Sequence, residues 1–206
     1  MLSRIRRTVR ALYNQRVQGY PTPEAPHFDN PTLERFKHEL SKARLYVEFG
    51  SGGSTIAADR QKIKTVSIES DPFYAKAVKN GLSPDTTVKM IVPNIGLTED
   101  WGMPVLNYGR KGERYVSAPF DGSAFPDLIL VDGRYRSACA LEAARRAKLS
   151  GATATLIFDD YDSRPHYHQV EQFLGEPERV GRSAVFIIGE QTVLRDAVAA
   201  AAKDPR

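Results

Sequence analysis

Residues Tyr46 to Thr55 read Tyr-Val-Glu-Phe-Gly-Ser-Gly-Gly-Ser-Thr, and Val66-Ser67-Ile68-Glu69 answers them downstream. The first piece is an apolar strand that runs into a glycine turn and opens a helix; the second is a strand that ends in a carboxylate. A strand, a crossover helix and a second strand make a parallel pair, which commits the chain to an α/β architecture. Glycines let the backbone come close to a ligand and aim helix N-terminal N–H groups at an anionic group. Glu69, at the end of the second strand, is placed to accept hydrogen bonds from both hydroxyls of a ribose. The pattern is that of a nucleotide-cofactor site.

Three glycine motifs test which cofactor. The dinucleotide pattern G-x-G-x-x-G would begin at Gly50 and Gly52, but Thr55 stands at its third glycine. A phosphate-binding loop needs Gly-Lys-Ser/Thr, and no lysine occurs between Gly50 and Gln61. A nucleophile elbow needs Gly-x-Ser-x-Gly, and neither Ser51 nor Ser54 has that frame. What remains is Glu48 followed by Gly50-Ser51-Gly52-Gly53. This resembles motif I of the class I S-adenosylmethionine-dependent methyltransferases, with Glu69 in the place of that family's ribose-binding acid.

The resemblance extends from about Arg44 to about Gly189. Asp127 to Gly133 is similar to the family's fourth strand with its terminal acid, and Thr155 to Asp160 to its fifth. Asn94-Ile95-Gly96, Trp101-Gly102-Met103-Pro104, Val131 to Ala140 and Gly181-Arg182-Ser183-Ala184 further resemble a methyltransferase-like group within that superfamily. Ser54 departs from the pattern, standing where many members carry another glycine. The resemblance implies S-adenosylmethionine as cofactor. It places Gly50, Ser51, Gly52, Gly53 and Ser54 around the methionine end, with Glu48 supporting its ammonium group or the loop. Glu69 then holds the ribose, Asn94 sits near the adenine, and Asp132 stands at the rim.

The chain has 206 residues, 41% of them hydrophobic and 26% charged, which suits one well-filled domain. We assign residues 44–206 to it and residues 1–43 to a basic helix, a proline linker and a short helix. The net charge is +4, yet Arg4, Arg6, Arg7, Arg10 and Arg16 stand among the first twenty residues with no acid, so the remainder is at −1. A nearly neutral domain makes no strong case for nucleic acid. The basic arm reads as an amphipathic helix packing Ile5, Val9, Leu12 and Tyr13 against the domain. No apolar run approaches the roughly 20 residues of a membrane span, and no secretory h-region precedes the domain, so the expected location is cytoplasmic. The single cysteine, Cys139, lies in an alanine-rich helix pattern and reads as buried and inert. Homo-oligomer formation stays open.

Tyr20 to Pro26 carries three prolines and reads as an extended linker that separates the arm from the cofactor site, so losing the arm should leave cofactor binding unchanged. Pro31 to Leu40 reads as a helix with Asn30 as its N-cap. Strands follow at Leu45–Phe49, Thr65–Glu69, Thr86–Val92, Asp127–Asp132 and Ala154–Phe158. Helices fall from about Ser54, over Pro72–Asn80 and over Ser137–Leu149. Glu178–Val180 and Ala184–Ile188 are joined by only Gly181-Arg182-Ser183, too little for a parallel crossover, and must pair antiparallel. The expected fold is a doubly wound, Rossmann-like sheet, mostly parallel, with an antiparallel C-terminal hairpin and helices on both faces. Such a hairpin is a feature of the class I methyltransferase sheet. Ile95 to Ala124 reads as an irregular excursion, either a substrate lid or a surface loop held by its aromatics.

Glu48, Glu69, Asp132, Asp159 and Asp160 should gather at the rim formed by the strands' C-terminal ends. Two arrangements would satisfy the last three. In one, Asp132, Asp159 and Asp160 ligate Mg²⁺ or another divalent cation, a spacing that resembles the metal site of catechol-type O-methyltransferases. In the other, Arg134, Arg136 or Arg164 neutralises them, and an aspartate, Asp132 or Asp159, serves as the catalytic base or anchors the cofactor's ammonium group. The arginines also admit an acidic small-molecule acceptor. His166 and His168, two apart, do not share a helix face and read as ordinary surface histidines. The functional expectation is a methyltransferase acting on a small molecule with a hydroxyl or amine nucleophile. The alternatives are a non-catalytic nucleotide-binding relative of the fold, or a dinucleotide or nucleotide-sugar enzyme on a Rossmann-like sheet.

Overall fold

The computed structural model describes residues 2–106, 109–122 and 124–206, with side chains in the first helix from Thr8 onward. The elements run α1 (Leu2–Tyr13), prolonged by a π-helical turn (Asn14–Gln18), α2 (Asn30–Leu40), β1 (Leu45–Phe49), α3 (Gly53–Arg60), β2 (Lys64–Ile68), α4 (Pro72–Asn80) and β3 (Val88–Ile91). They continue with α5 (Gly109–Ser117), β4 (Leu128–Val131), α6 (Arg136–Ser150), β5 (Ala154–Phe158), α7 (Glu171–Leu174), β6 (Glu178–Val180), β7 (Ser183–Ile188) and α8 (Arg195–Ala201). The strands form one sheet in the order β3-β2-β1-β4-β5-β7-β6. Neighbours from β3 to β5 are parallel, and β7 runs antiparallel to both β5 and β6. The expected mostly parallel sheet with an antiparallel C-terminal pair is the observed one.

Strand periodicity sorts the core into two layers. Leu128 and Leu130 of β4 join Tyr46 and Ile157 on the face covered by Phe36 and Leu40 of α2 and Ala58 of α3. Their neighbours Ile129 and Val131 turn the other way, to meet Phe158 and the alanines of α6. With both faces covered, every residue of β4 is buried, which is why it reads as an unbroken apolar run. Cys139 lies in that α6 layer as expected, its thiol donating to the carbonyl of Arg134 at 3.4 Å. Truncating a large core side chain such as Phe158 to alanine costs about 3–5 kcal/mol.

Three expectations are corrected. The N-cap of α2 is Asp29, whose Oδ1 accepts from the amide of Thr32 at 3.2 Å, while Asn30 is already helical. Asp29 wins because its other oxygen accepts from the amide of Arg182 at 3.0 Å, tying α2 to the hairpin. The excursion after β3 contains a helix, α5, hidden in the sequence by Gly109 and Gly112. Its Tyr115 is buried between Phe49 and Tyr135, and Phe120 stacks on Phe125 at 5.8 Å, so this half is packed domain. Tyr108 lies outside the described residues. Third, α1 docks by its polar side. Ala11 and Gln15 face inward, Leu12 is half-buried, and Val9 and Tyr13 are exposed; the side chain of Ile5 lies outside those described. Among the described residues, no helix is long and apolar enough to cross a membrane.

Candidate cofactor and acceptor site

The sheet order reverses between β1 and β4, the place where an open α/β sheet holds its ligand. β1 leaves that point through Gly50, at φ +96°. A Cβ on Gly50 would lie 2.8 Å from backbone atoms of Asp132 and Gly133, and one on Gly133 would lie 2.7 Å from the nitrogen of Gly50. Two glycines back to back thus bring the turn flat against the end of β4. Gly53 opens α3 against the backbone of Ala25 and Pro26, which a side chain there would strike. The amides of Gly53 and Ser54 belong to a first helical turn and have no partner within the helix, the arrangement that receives an anionic group.

Glu48 is fully buried and accepts from the hydroxyls of Tyr46 at 2.8 Å, Ser54 at 2.6 Å and Thr55. Burial pushes its carboxyl up, and the hydroxyl donors pull it back. Of the two roles expected for Glu48, support of the loop is the one these bonds serve: the carboxylate staples the first turn of α3 to β1. Ser54, the departure from the usual glycine, supplies one of those staples. Ser51 sets its Oγ 2.7 Å from that of Ser67.

Glu69 accepts four hydrogen bonds, from the amides of Ser51 (3.1 Å), Ser70 (2.6 Å) and Asp71 (2.8 Å) and from the hydroxyl of Ser70 (3.0 Å). A carboxylate offers about four such positions, so all are taken. Burial raises its pKa against these donors. A second segment lies directly above: Gly102 packs so tightly on the Ser70 hydroxyl that no side chain would fit. Residues 98–104 are closed on themselves by a bridge between Thr98 and Pro104. They are held from outside by the arm, where Gln15 Nε2 donates to the carbonyl of Thr98 and to Asp71, both at 3.0 Å, and the Thr8 hydroxyl to Glu99 at 2.6 Å. Tyr20 also donates to Asp71 at 3.0 Å. The arm and linker therefore reach the site, contrary to the expected separation, because Asp71 and Thr98 draw in polar groups. Asn94 is exposed, three residues past β3, with its side chain turned back onto the amide of Gly96 at 3.0 Å.

The rim acids do come together: Asp132, Asp159 and Asp160 offer oxygens within 4.8 Å of one another. Arginines fill the space among them. Arg182 grips Asp159 with two bonds, at 2.9 and 2.5 Å, and Ser183 donates to the same carboxylate at 2.7 Å. Arg136 binds Asp132 at 2.9 Å and Asp160 at 3.2 Å, and Arg164 binds Asp160 at 2.8 Å. Of the arginines expected here, Arg136 and Arg164 meet the acids and Arg134 does not, while Arg182 is added; the sequence marked it only through the Gly181-Arg182-Ser183-Ala184 resemblance and its place in the short hairpin connection. Asp159 is fully enclosed by these partners and anchors the hairpin. Asp132 is the open member, with 35% of its side chain exposed. Desolvation pushes its carboxyl up to about 7, opposed by Arg136 and reinforced by Asp159 and Asp160.

Arg134 stands apart. Its Nε is buried with no hydrogen-bond partner, and no carboxylate pairs with its guanidinium among the described residues. Burial, then the charge of Arg136, lowers its pKa. The His166 ring lies tilted against Tyr167, and His168 meets the carbonyl of Tyr161 at 3.1 Å, so the two share no ligand position. An open depression of about 470 Å³, bounded by Lys79, Pro84, Val88 and Met90, lies at the start of β3 and not at this rim.

No protein-family model matches the chain, and no curated protein matches it. Among solved structures, a methyltransferase-like protein from Silicibacter pomeroyi DSS-3 is 30% identical over 89% of this chain and 100% of its own, with a TM-score of 0.77. Cofactor-bound Rv0187 from MTB shares the fold at 14% identity, over 92% of this chain and 91% of its own, with a TM-score of 0.55. The chain belongs to the methyltransferase-like group of the class I S-adenosylmethionine-dependent methyltransferase superfamily.

Proposed function

We propose that the chain binds S-adenosylmethionine and transfers its methyl group to an oxygen or nitrogen nucleophile of a small acidic acceptor. The observation that carries this reading is the glycine turn pressed against Gly133 at the point where the sheet order reverses, with Glu69 bonded to its Ser51 amide. These residues fit the cofactor. The first-turn amides of α3 suit its carboxylate, and Glu69 suits ribose hydroxyls once residues 98–104 lift and release the Ser70 hydroxyl. The bound cofactor supplies an already activated methyl group, so the chain's task is orientation and removal of one proton.

Asp132 is suited to hold that proton, being the most exposed of the three clustered acids, with a carboxyl near neutrality. Arg134, cationic and with no carboxylate partner among the described residues, is suited to an acceptor's carboxylate or phosphate. Calorimetric titration with S-adenosylhomocysteine tests the cofactor. Glu69→Ala should weaken binding tenfold or more while leaving the melting transition cooperative, since each charge-assisted bond is worth about 1.5–3 kcal/mol. Preference for NAD, or no response to either, would hand the fold to a dinucleotide enzyme or to a non-catalytic relative.

A further inference from the structure

The arm presents to solvent the residues that an amphipathic helix ordinarily buries. Val9, Tyr13 and Val17 recur every fourth residue along α1 and its π-helical extension, and they are 60%, 55% and 64% exposed. Ala11 and Gln15 take the inward side instead, and Gln15 is fastened there by Asp71 and Thr98. The stripe is therefore held outward by polar anchors on the opposite face. The first eighteen residues include five arginines and no acid. Of these, Arg10 is exposed next to Val9, and Arg16 lies 5.0 Å from the ring centre of Phe73.

A second apolar element lies against the arm on the side of Thr8 and Gln15. The segment that Thr8 and Gln15 grip is a tight loop closed by the Thr98–Pro104 bridge and by the Glu99 amide on the Met103 carbonyl at 2.7 Å. Its tip is Trp101, the chain's one tryptophan, at φ +61° and 89% exposed, with Leu97 at the loop's base also exposed. A bulky side chain rarely adopts that backbone conformation, and here it projects an indole into water. Glu99 is turned to Thr8, which leaves Asp100 as the acid at the tip.

We infer that α1 and the Trp101 loop form a docking surface for an anionic lipid bilayer. Such surfaces combine a helix lying in the interface plane, apolar side chains entering the acyl boundary, arginines at headgroup level and an aromatic residue with one apolar and one polar end. The charge argument selects lipid: the basic character is confined to the segment that carries the apolar stripe, and the rest of the chain is at −1. Nucleic acid would use the arginines and leave Val9, Tyr13 and Val17 without a role. The inference rests on this surface alone and holds whatever the rim catalyses.

Trp101 reports on the contact directly. The full chain is mixed with phosphatidylcholine vesicles, with and without phosphatidylglycerol, and followed by Trp101 emission and by co-sedimentation. Anionic vesicles should shift the emission to the blue and sediment the protein at least tenfold better than neutral ones, and added salt should weaken the effect. Val9→Asp with Tyr13→Asp should abolish sedimentation, and Arg10→Glu should lower it about fivefold or more. All three positions are exposed, so unchanged melting would exclude misfolding. No binding to anionic vesicles, or equal binding to both kinds, would overturn the inference. So would binding that survives the double aspartate variant. Self-association in lipid-free buffer that the same variant abolishes would make the stripe a contact between copies instead. Salt-sensitive binding of an RNA oligomer with no vesicle binding would transfer the arm to nucleic acid.

Discussion

Asp132 and Asp159 are close in space and end neighbouring strands, yet they have different chemical fates. Asp159 is clasped by Arg182 and Ser183 and stays enclosed, whereas Asp132 shares Arg136 and reaches solvent. Its carboxyl, raised to about 7 first by desolvation, binds a proton more tightly in the folded chain than in the unfolded one. The stabilising effect of that proton is complete below the usual carboxylate range and is lost as pH rises through 7. Denaturant unfolding at several pH values, on wild type and Asp132→Asn, should show the wild type losing about 1–2 kcal/mol relative to the variant between pH 4 and 7. The loss stays this small because solvent screens a third of the side chain. A constant difference over that range would mean that Asp132 is ionised throughout and is no base tuned to neutral pH.

At the scale of elements, the glycine turn is caught between two segments that approach from outside the sheet. The linker lies on Gly53 and the 98–104 loop lies on Ser70 and Glu69. The arm pins that loop through Thr8 and Gln15. Removing residues 1–18 should free it, and under the proposed cofactor reading the loop must move for a ribose to exchange with the Ser70 hydroxyl. Stopped-flow mixing with S-adenosylhomocysteine, followed at Trp101, should therefore show association severalfold faster in the truncated chain. An unchanged rate would mean that the loop opens independently of the arm. A similar dependence on distant partners sets the N-cap of α2: Asp29 and Asn30 are equally good caps locally, and the amide of Arg182 decides between them.

For the molecule as a whole, the rim is an electrostatic balance spread over three parts of the chain. Carboxylates from the ends of β4 and β5 meet guanidinium groups from α6, from the segment after β5 and from the β6–β7 connection. With Arg136, Arg164 and Arg182 already among the acids, added Mg²⁺ should leave the thermal midpoint unchanged, with or without S-adenosylhomocysteine. Asp159→Asn should lower that midpoint in metal-free buffer by the equivalent of about 3–5 kcal/mol, because Arg182 loses its bidentate partner. A midpoint that rises with Mg²⁺ in the wild type and not in Asp159→Asn would restore the metal arrangement at Asp132, Asp159 and Asp160.

The strands and most of the helices, the glycine turn, the acids at the strand ends and the antiparallel hairpin were legible in the amino-acid sequence. Each is written in neighbouring residues: apolar runs of strand length, glycines at a strand's end, a connection too short for a crossover. The helix α5 was not, because Gly109 and Gly112 mask its pattern, and its anchor Tyr115 is buried only once Phe49 and Tyr135 flank it. Tertiary structure alone decided that Arg182 reaches Asp159 and that Arg134 meets no carboxylate among the described residues. It also decided that Gln15 seeks Asp71 and turns Val9 and Tyr13 toward solvent. The physical reason is range. Periodicity and turn chemistry act over a few residues, whereas the pairing of buried charges and polar groups depends on which distant segments the packed sheet brings within about 3 Å.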